Sequence, residues 1–190
     1  MTRYVERPPP STLPTRGITF VELLMTMLVI VVISVFAAPY FRNMLMDKRM
    51  MAERDMLIAM LNYARSTALT QNTSVQACPV GQANSTTCGS NWQTGFMIIS
   101  QPPTGAAILL QSYRAGPNDP TLSSVAIGGV SATSINFDAR GIATTQANFK
   151  LCDSRGGASA LSVQVLPTGM VQTSETPGTA IWNGGALTCP

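Results

Sequence analysis

Glu22 is the only charged side chain between Ile18 and Phe41. A carboxylate within an apolar helix costs a few kcal/mol or more in a bilayer, so its presence marks a functional position. The chemistry open to it there is pairing with an ammonium, in which each charge offsets the desolvation of the other. The rest of the reactive inventory is short. The chain has no histidine, which excludes Ser-His-Asp and Cys-His nucleophilic sites and any His-ligated metal. Cys78, Cys88, Cys152 and Cys189 include no Cys-x-x-Cys pair, hence no zinc-like spacing. Asp138 and Asp153 are a candidate acid pair. Each borders a turn with Arg and Gly nearby, the setting of solvated turn acids more than of a glycosidase-like dyad. No catalysis, no metal and no cofactor are expected.

The segment that carries Glu22 has a length that matters. A bilayer core about 30 Å thick needs roughly 20 apolar helical residues, and residues 18–38 supply them. Arg3, Arg7 and Arg16 precede the run against one acid, Glu6, which keeps the N-terminus cytoplasmic and places the following chain outside. No Ala-x-Ala site follows Ala38; Pro39, Tyr40 and Phe41 come at once. A glycine, Gly17, stands ahead of the run instead, which suggests that a leader is removed and the membrane helix kept.

Beyond the membrane an even cysteine count reads as disulfides, and three connectivities are possible. The favoured one joins Cys78 to Cys88 across a short polar loop and Cys152 to Cys189, pinning the C-terminal tail to a strand. Closures of this kind contribute about 3 kcal/mol each. The net charge is +3, of which residues 1–17 hold +2; the remaining chain has nine basic against eight acidic residues. Arg140, Lys150 and Arg155 are weak candidates for a nucleic-acid patch, with Asp138 and Asp153 beside them. Nucleic-acid binding is not expected, because it draws on concentrated Lys and Arg. Asn72-Thr73-Ser74 and Asn84-Ser85-Thr86 match glycan-acceptor patterns by chance.

Leu57, Met60, Leu61, Ala64 and Ala68 recur at helical spacing, with Arg54, Asp55, Asn62 and Arg65 opposite, so an amphipathic helix should run to about Leu69. Pro39 removes one backbone bond and is expected to kink it. The methionines at 44, 46, 50, 51, 56 and 60 are read as helix packing rather than a metal site. Past Gln71, short apolar runs alternate with Gly, Pro, Ser, Thr and Asn clusters. Candidate strands are 74–78, 95–100, 108–113, 124–127, 134–138, 147–152, 161–166 and 169–173. A long helix followed by many short strands makes the class α+β. Gly128-Gly129, Gly156-Gly157 and Gly184-Gly185 read as turns, not phosphate cradles.

The junction Arg16-Gly17-Ile18-Thr19-Phe20-Val21-Glu22, with Pro39 further on, resembles the class III signal of type IV prepilins and type II secretion pseudopilins. The resemblance implies that a prepilin peptidase cuts between Gly17 and Ile18 and methylates the Ile18 amine. Glu22 would then be the fifth mature residue, pairing with the Ile18 ammonium of a neighbouring subunit and setting axial register. The family more often starts its mature chain with Phe, so Ile18 is a departure.

Downstream, the order of motifs resembles the GspH/FimT branch of pseudopilins and minor pilins. The carrying residues are Ala64-Arg65-Ser66-Thr67-Ala68, Val75 to Cys78, Trp92, Thr94-Gly95-Phe96, Ile135-Asn136-Phe137-Asp138 before Arg140-Gly141, and Cys152-Asp153-Ser154-Arg155-Gly156. The resemblance implies a pilin-like fold: a long N-terminal helix, half transmembrane and half amphipathic, packed on an antiparallel β-sheet head. The corresponding division is a cleaved leader at 1–17, a membrane and filament-core helix at 18–39, an amphipathic helix at 40–71 and a β-rich head at 72–190.

The function implied is that of a minor pilin of the FimU/FimT type that primes or caps a type IV pilus. Alternatives are a GspH-like minor pseudopilin in type II secretion and a DNA-binding minor pilin for transformation. FimT-like DNA receptors carry a Gly-Arg-x-Arg pair, and the matching Gly169-Met170-Val171-Gln172 lacks both arginines. Implied partners are the prepilin peptidase, other minor pilins or pseudopilins, the major pilin and the bacterial inner membrane. The head would face the periplasm and then the pilus or pseudopilus.

Overall fold

The computed structural model describes residues 17–82 and 85–190. Helix α1 (Phe20–Gln71) is followed by β1 (Ser74–Pro79), β2 (Gly95–Gln101), β3 (Ile108–Arg114), β4 (Thr121–Val125), β5 (Ile135–Phe137), β6 (Ala147–Cys152), β7 (Leu161–Val165) and β8 (Val171–Thr173). The chain divides into two compact units, residues 17–43 and 44–190 among those described.

The first unit is helical from Phe20 onward, and its apolar side chains are exposed throughout. It holds a stretch long and apolar enough to cross a membrane. Thr19 precedes the helix and caps it, its Oγ1 accepting from the Glu22 N–H at 3.3 Å. The two hydroxyls within the apolar run turn back on the helix: Thr26 donates to the Leu23 carbonyl at 2.8 Å and Ser34 to the Ile30 carbonyl at 2.7 Å. Pro39 lies inside the helix, which continues past it as one element.

In the second unit, α1 buries one stripe made of Met50, Glu53, Leu57, Met60, Leu61, Ala64, Thr67 and Ala68. The helix ends at Gln71, two residues beyond Leu69, and Asn72 follows in the left-handed conformation (φ 50°) that Asn tolerates better than most residues. The Thr73 N–H reaches back to the Ala68 carbonyl at 3.2 Å, closing a Schellman-type stop. Asn72 is thus used to end a helix. Asn84, of the other glycan-like triplet, lies outside the described residues. Of the methionines expected to pack, Met50 and Met60 do, but Met44, Met51 and Met56 are 53%, 43% and 41% exposed; Met44 and Met51 face away from the stripe, and Met56 lies at its margin.

The strands form two four-stranded antiparallel sheets, ordered β3-β2-β1-β5 and β4-β6-β7-β8. The expected α+β, pilin-like class holds; the division into two sheets is new. Strand β4 starts at Thr121, three residues before the expected 124, because it is a sheet edge whose one apolar anchor is Leu122. One core joins the helix stripe to both sheets through Val75, Ala77, Phe96, Ile98, Ile135 and Phe137 on one side and Leu122, Phe149, Leu151, Val163 and Val165 on the other. Trp92 meets Phe149 edge-on at 4.8 Å and donates to the Ala132 carbonyl at 2.8 Å.

Each disulfide clamps a segment over the outer face of one sheet. Cys78–Cys88 joins Val80, Met97 and Ile99 behind β1 and β2. Cys152–Cys189 joins Ala160, Ala180 and Leu187, drawing the C-terminal tail across β6. Strand alternation makes this possible: Phe149 and Leu151 face the core, so Cys152 faces outward. The backbone at Gly157 lies so close to the Leu187 carbonyl that a Cβ would not fit. That glycine admits the tail rather than a phosphate.

Candidate functional site

Gly17 and Ile18 are exposed and non-helical, immediately ahead of the helix. The first sixteen residues of the expected leader, with Arg3, Arg7 and Arg16, lie outside the described residues. Glu22 sits in the first helical turn. Among the described residues no cation pairs with its carboxylate, while Thr26 and Ser34 satisfy their own polar atoms. Position adds a local role, since a carboxylate in the first turn complements the helix dipole. Sequence reasoning passed over Thr19, although Thr19-x-x-Glu22 is a capping-box pattern legible in the residues.

Four of the eight charged side chains in residues 72–190 lie in two turns with the same local sequence pattern. Asp138-Ala139-Arg140-Gly141 follows β5, and Asp153-Ser154-Arg155-Gly156 follows β6. In each, Asp Oδ1 accepts the Arg N–H two residues on, at 2.9 Å, and Oδ2 accepts from the same guanidinium. Each closes by a backbone bond from the Gly N–H to the Asp carbonyl, with Gly at φ +71° or +83°. The Ile142 N–H, then burial against it, then the Arg140 contacts act on Asp138, and the net effect holds its carboxyl below the ordinary range. Arg155 is raised above its ordinary value, chiefly by its bond to Asp153.

The turns are not a catalytic pair. Arg155 binds Asp47 on α1 at 2.6 Å, whereas the Gly141 carbonyl accepts from Arg65 at 3.0 Å. Eighteen helical residues separate Asp47 from Arg65, about 27 Å at 1.5 Å per residue. The nucleic-acid candidates are dispersed with them. Arg140 is exposed but paired to Asp138, Arg155 is held between Asp153 and Asp47, and Lys150 donates to the Thr188 carbonyl in the tail. At the site matching Gly-Arg-x-Arg, Gly169 (φ +77°) packs against the Gly141 carbonyl and Arg65, and Met170 is exposed.

A further cluster escaped the sequence reading. Glu53 is 5% exposed on the core stripe of α1. The Tyr113 hydroxyl lies between Glu53 Oε2 and Asp119 Oδ2, the latter at 2.9 Å. Asp119 Oδ2 also accepts the Gly116 N–H at 2.6 Å. Burial is the main cause that raises the Glu53 carboxyl; the Tyr113 bond opposes it and the Asp119 charge adds to it. Burial and both carboxylates raise the Tyr113 phenol as well. The signal for Glu53 was its phase, three residues after Met50 and four before Leu57.

Residues 54–169 match the family described as type II transport protein GspH. No curated protein matches the chain. Among solved structures, the type IV minor pilin FimU of Pseudomonas aeruginosa aligns in two crystal forms. One has a TM-score of 0.51 at 20% identity, covering 67% of this chain and 89% of that one. The other has a TM-score of 0.50 at 20% identity, covering 65% and 91%. The likeness shows a shared fold of one long helix and an antiparallel head. With more than half its length matched by the family, the chain belongs to the GspH family.

Proposed function

We propose that the chain is a minor pilin that helps prime or cap a type IV pilus. The observation that carries this reading is the N-terminal unit. A membrane-length apolar helix stands fully exposed, its hydroxyls are internally satisfied, and its one carboxylate, Glu22, lacks a cation among the described residues. Such a helix needs an apolar surround, first the inner membrane and then the helices of neighbouring pilins. In this reading the prepilin peptidase cuts between Gly17 and Ile18, the Ile18 amine is methylated, and Glu22 pairs with the Ile18 ammonium of a neighbour. Pro39 gives the helix a place to bend. The exposed Met44 and Met51, one above the other, supply an adaptable edge for adjoining helices.

A second reading, a minor pseudopilin of type II secretion, is favoured by the description of the matched family. DNA capture has the least support, since Arg140, Lys150 and Arg155 are dispersed and engaged. Surface pili sheared from a strain lacking the gene, measured against total cellular pilin, separate these readings. Loss of surface pili with pilin retained in the membrane supports priming. Unchanged pili with impaired export of folded proteins support the secretion role.

A further inference from the structure

The Glu53, Tyr113 and Asp119 contacts cannot all be hydrogen bonds unless the cluster holds one proton more than two carboxylates and a phenol carry at neutral pH. A phenol has a single hydrogen to give and otherwise only lone pairs. If both acids were ionised, Tyr113 would satisfy one of them and set its oxygen lone pairs against the other. An added proton on Glu53 closes the chain without conflict. Glu53 then donates to Tyr113 Oη, Tyr113 donates to Asp119 Oδ2, and the Gly116 N–H donates to the same oxygen. Glu53 is the member to hold it, because it is buried, whereas Asp119 is exposed and accepts a backbone N–H.

The groups around Glu53 do not supply a counter-charge. On α1, Arg54 is bound to Asp55, and Arg49, one turn earlier, lines the cavity beside Asp119. On β3, Arg114 donates to the Gly81 carbonyl. The β3–β4 loop contributes Asp119. The core faces of both sheets are apolar, and Asp153, at the far wall of the cavity, is committed to Arg155. The cavity, about 330 Å³, lies between Met46 and Arg49 of the helix, the loop from Pro117 to Thr121, and the turn at Asp153.

We propose that Glu53, Tyr113 and Asp119 form a proton-operated clasp that holds the 115–120 loop against the helix while Glu53 is protonated and frees it when Glu53 ionises. Ionisation places a second negative charge across the phenol from Asp119 and breaks one of the two bonds that bridge helix and loop. The loop forms one wall of the cavity, so its release widens that cavity toward solvent. A pilin-type head exposed to its surroundings would thereby sense their pH.

The test is amide hydrogen exchange at Ala115, Gly116, Asn118 and Asp119 of the full chain in detergent micelles, comparing variants with wild type at the same pH. Glu53→Gln replaces the buried acid by an amide that donates to Tyr113 Oη, so it closes the chain at any pH, and Tyr113→Phe removes the bridge at any pH. At about pH 5 wild type should protect the loop as Glu53→Gln does; at about pH 8 it should exchange about tenfold faster than Glu53→Gln and as fast as Tyr113→Phe. Because Tyr113 is only half-buried, Tyr113→Phe keeps the test open if Glu53→Gln fails to fold. Exchange in wild type equal to that of Glu53→Gln at the higher pH, or equal to that of Tyr113→Phe at the lower, overturns the proposal. An infrared difference spectrum of wild type against Glu53→Gln at about pH 6, where ordinary glutamate is ionised, should show a protonated carboxyl band in wild type, and its absence overturns the proposal too.

Discussion

The turns after β5 and β6 share the pattern Asp-x-Arg-Gly and the same internal bonds, yet they meet the helix in opposite senses. After β6 the turn gives its cation away: Arg155 is 20% exposed and reaches Asp47 on α1. After β5 the turn keeps its cation in solvent, with Arg140 80% exposed, and offers a backbone carbonyl to the helix's Arg65. Local sequence therefore sets the shape of each turn, while its neighbours decide which group does the tertiary work. The same difference separates the backings. The β6 turn follows Cys152 and its disulfide to the tail, and the β5 turn is backed by Gly169 of the β7–β8 hairpin.

The sharpest way to break the comparison is to remove each backing. Cys152→Ser with Cys189→Ser opens a closure spanning 37 residues and should lower stability by about 3–4 kcal/mol in the chain-entropy account. Urea unfolding of the full chain in detergent micelles measures it; a loss below about 1 kcal/mol would mean that the apolar cluster of Ala160, Ala180 and Leu187 holds the tail unaided. Gly169→Ala should follow closely, at about 2–4 kcal/mol. It sets a side chain at φ +77° and drives its Cβ into the Gly141 carbonyl, which is backbone and cannot yield cheaply.

Next is the bridge itself. Arg155→Gln leaves Asp153, 12% exposed, without its cation and should cost about 1–2 kcal/mol. Asp47 is 55% exposed, so its share is smaller. A double-mutant cycle between Asp47→Asn and Arg155→Gln should return a coupling of about 0.5–1 kcal/mol. A coupling near zero would make the two turns equivalent after all, each held by its own Asp alone.

Much of this was legible in the residues, and the exceptions share a cause. Leu57, Met60, Leu61, Ala64 and Ala68 announced the buried stripe by spacing alone, and the strands fell near their apolar runs. Glu53 was missed because attention to apolar types hid a carboxyl lying in phase with them. Thr19 and Asn72 were local signals of helix start and stop, readable from the chain but overshadowed by the signal motif and the glycan pattern. The two-sheet division and the meeting of Tyr113 with both Glu53 and Asp119 are of another kind. They depend on which elements become neighbours across distant stretches of chain, 60 residues for Glu53 and Tyr113, and no short-range pattern encodes that.

The smallest effect is expected at the exposed turn, and it is a matter of pH. The Asp138 carboxyl is held below its ordinary value, first by the Ile142 N–H. A lowered folded-state pKa adds stability that is present above the ordinary aspartate value and is lost as the pH falls through the folded-state value. The window therefore lies below about pH 4. Arg140→Gln should leave stability at neutral pH unchanged and most of the acid-side slope intact, because the backbone donors remain. Asp138→Asn should remove that slope while keeping an oxygen for the N–H groups of Arg140 and Ile142. Thermal unfolding of both variants between about pH 2 and pH 5 decides the matter. If Arg140→Gln erased the slope as fully as Asp138→Asn, the guanidinium rather than the Ile142 N–H would be holding the charge. The β5 turn would then depend on its arginine as the β6 turn does.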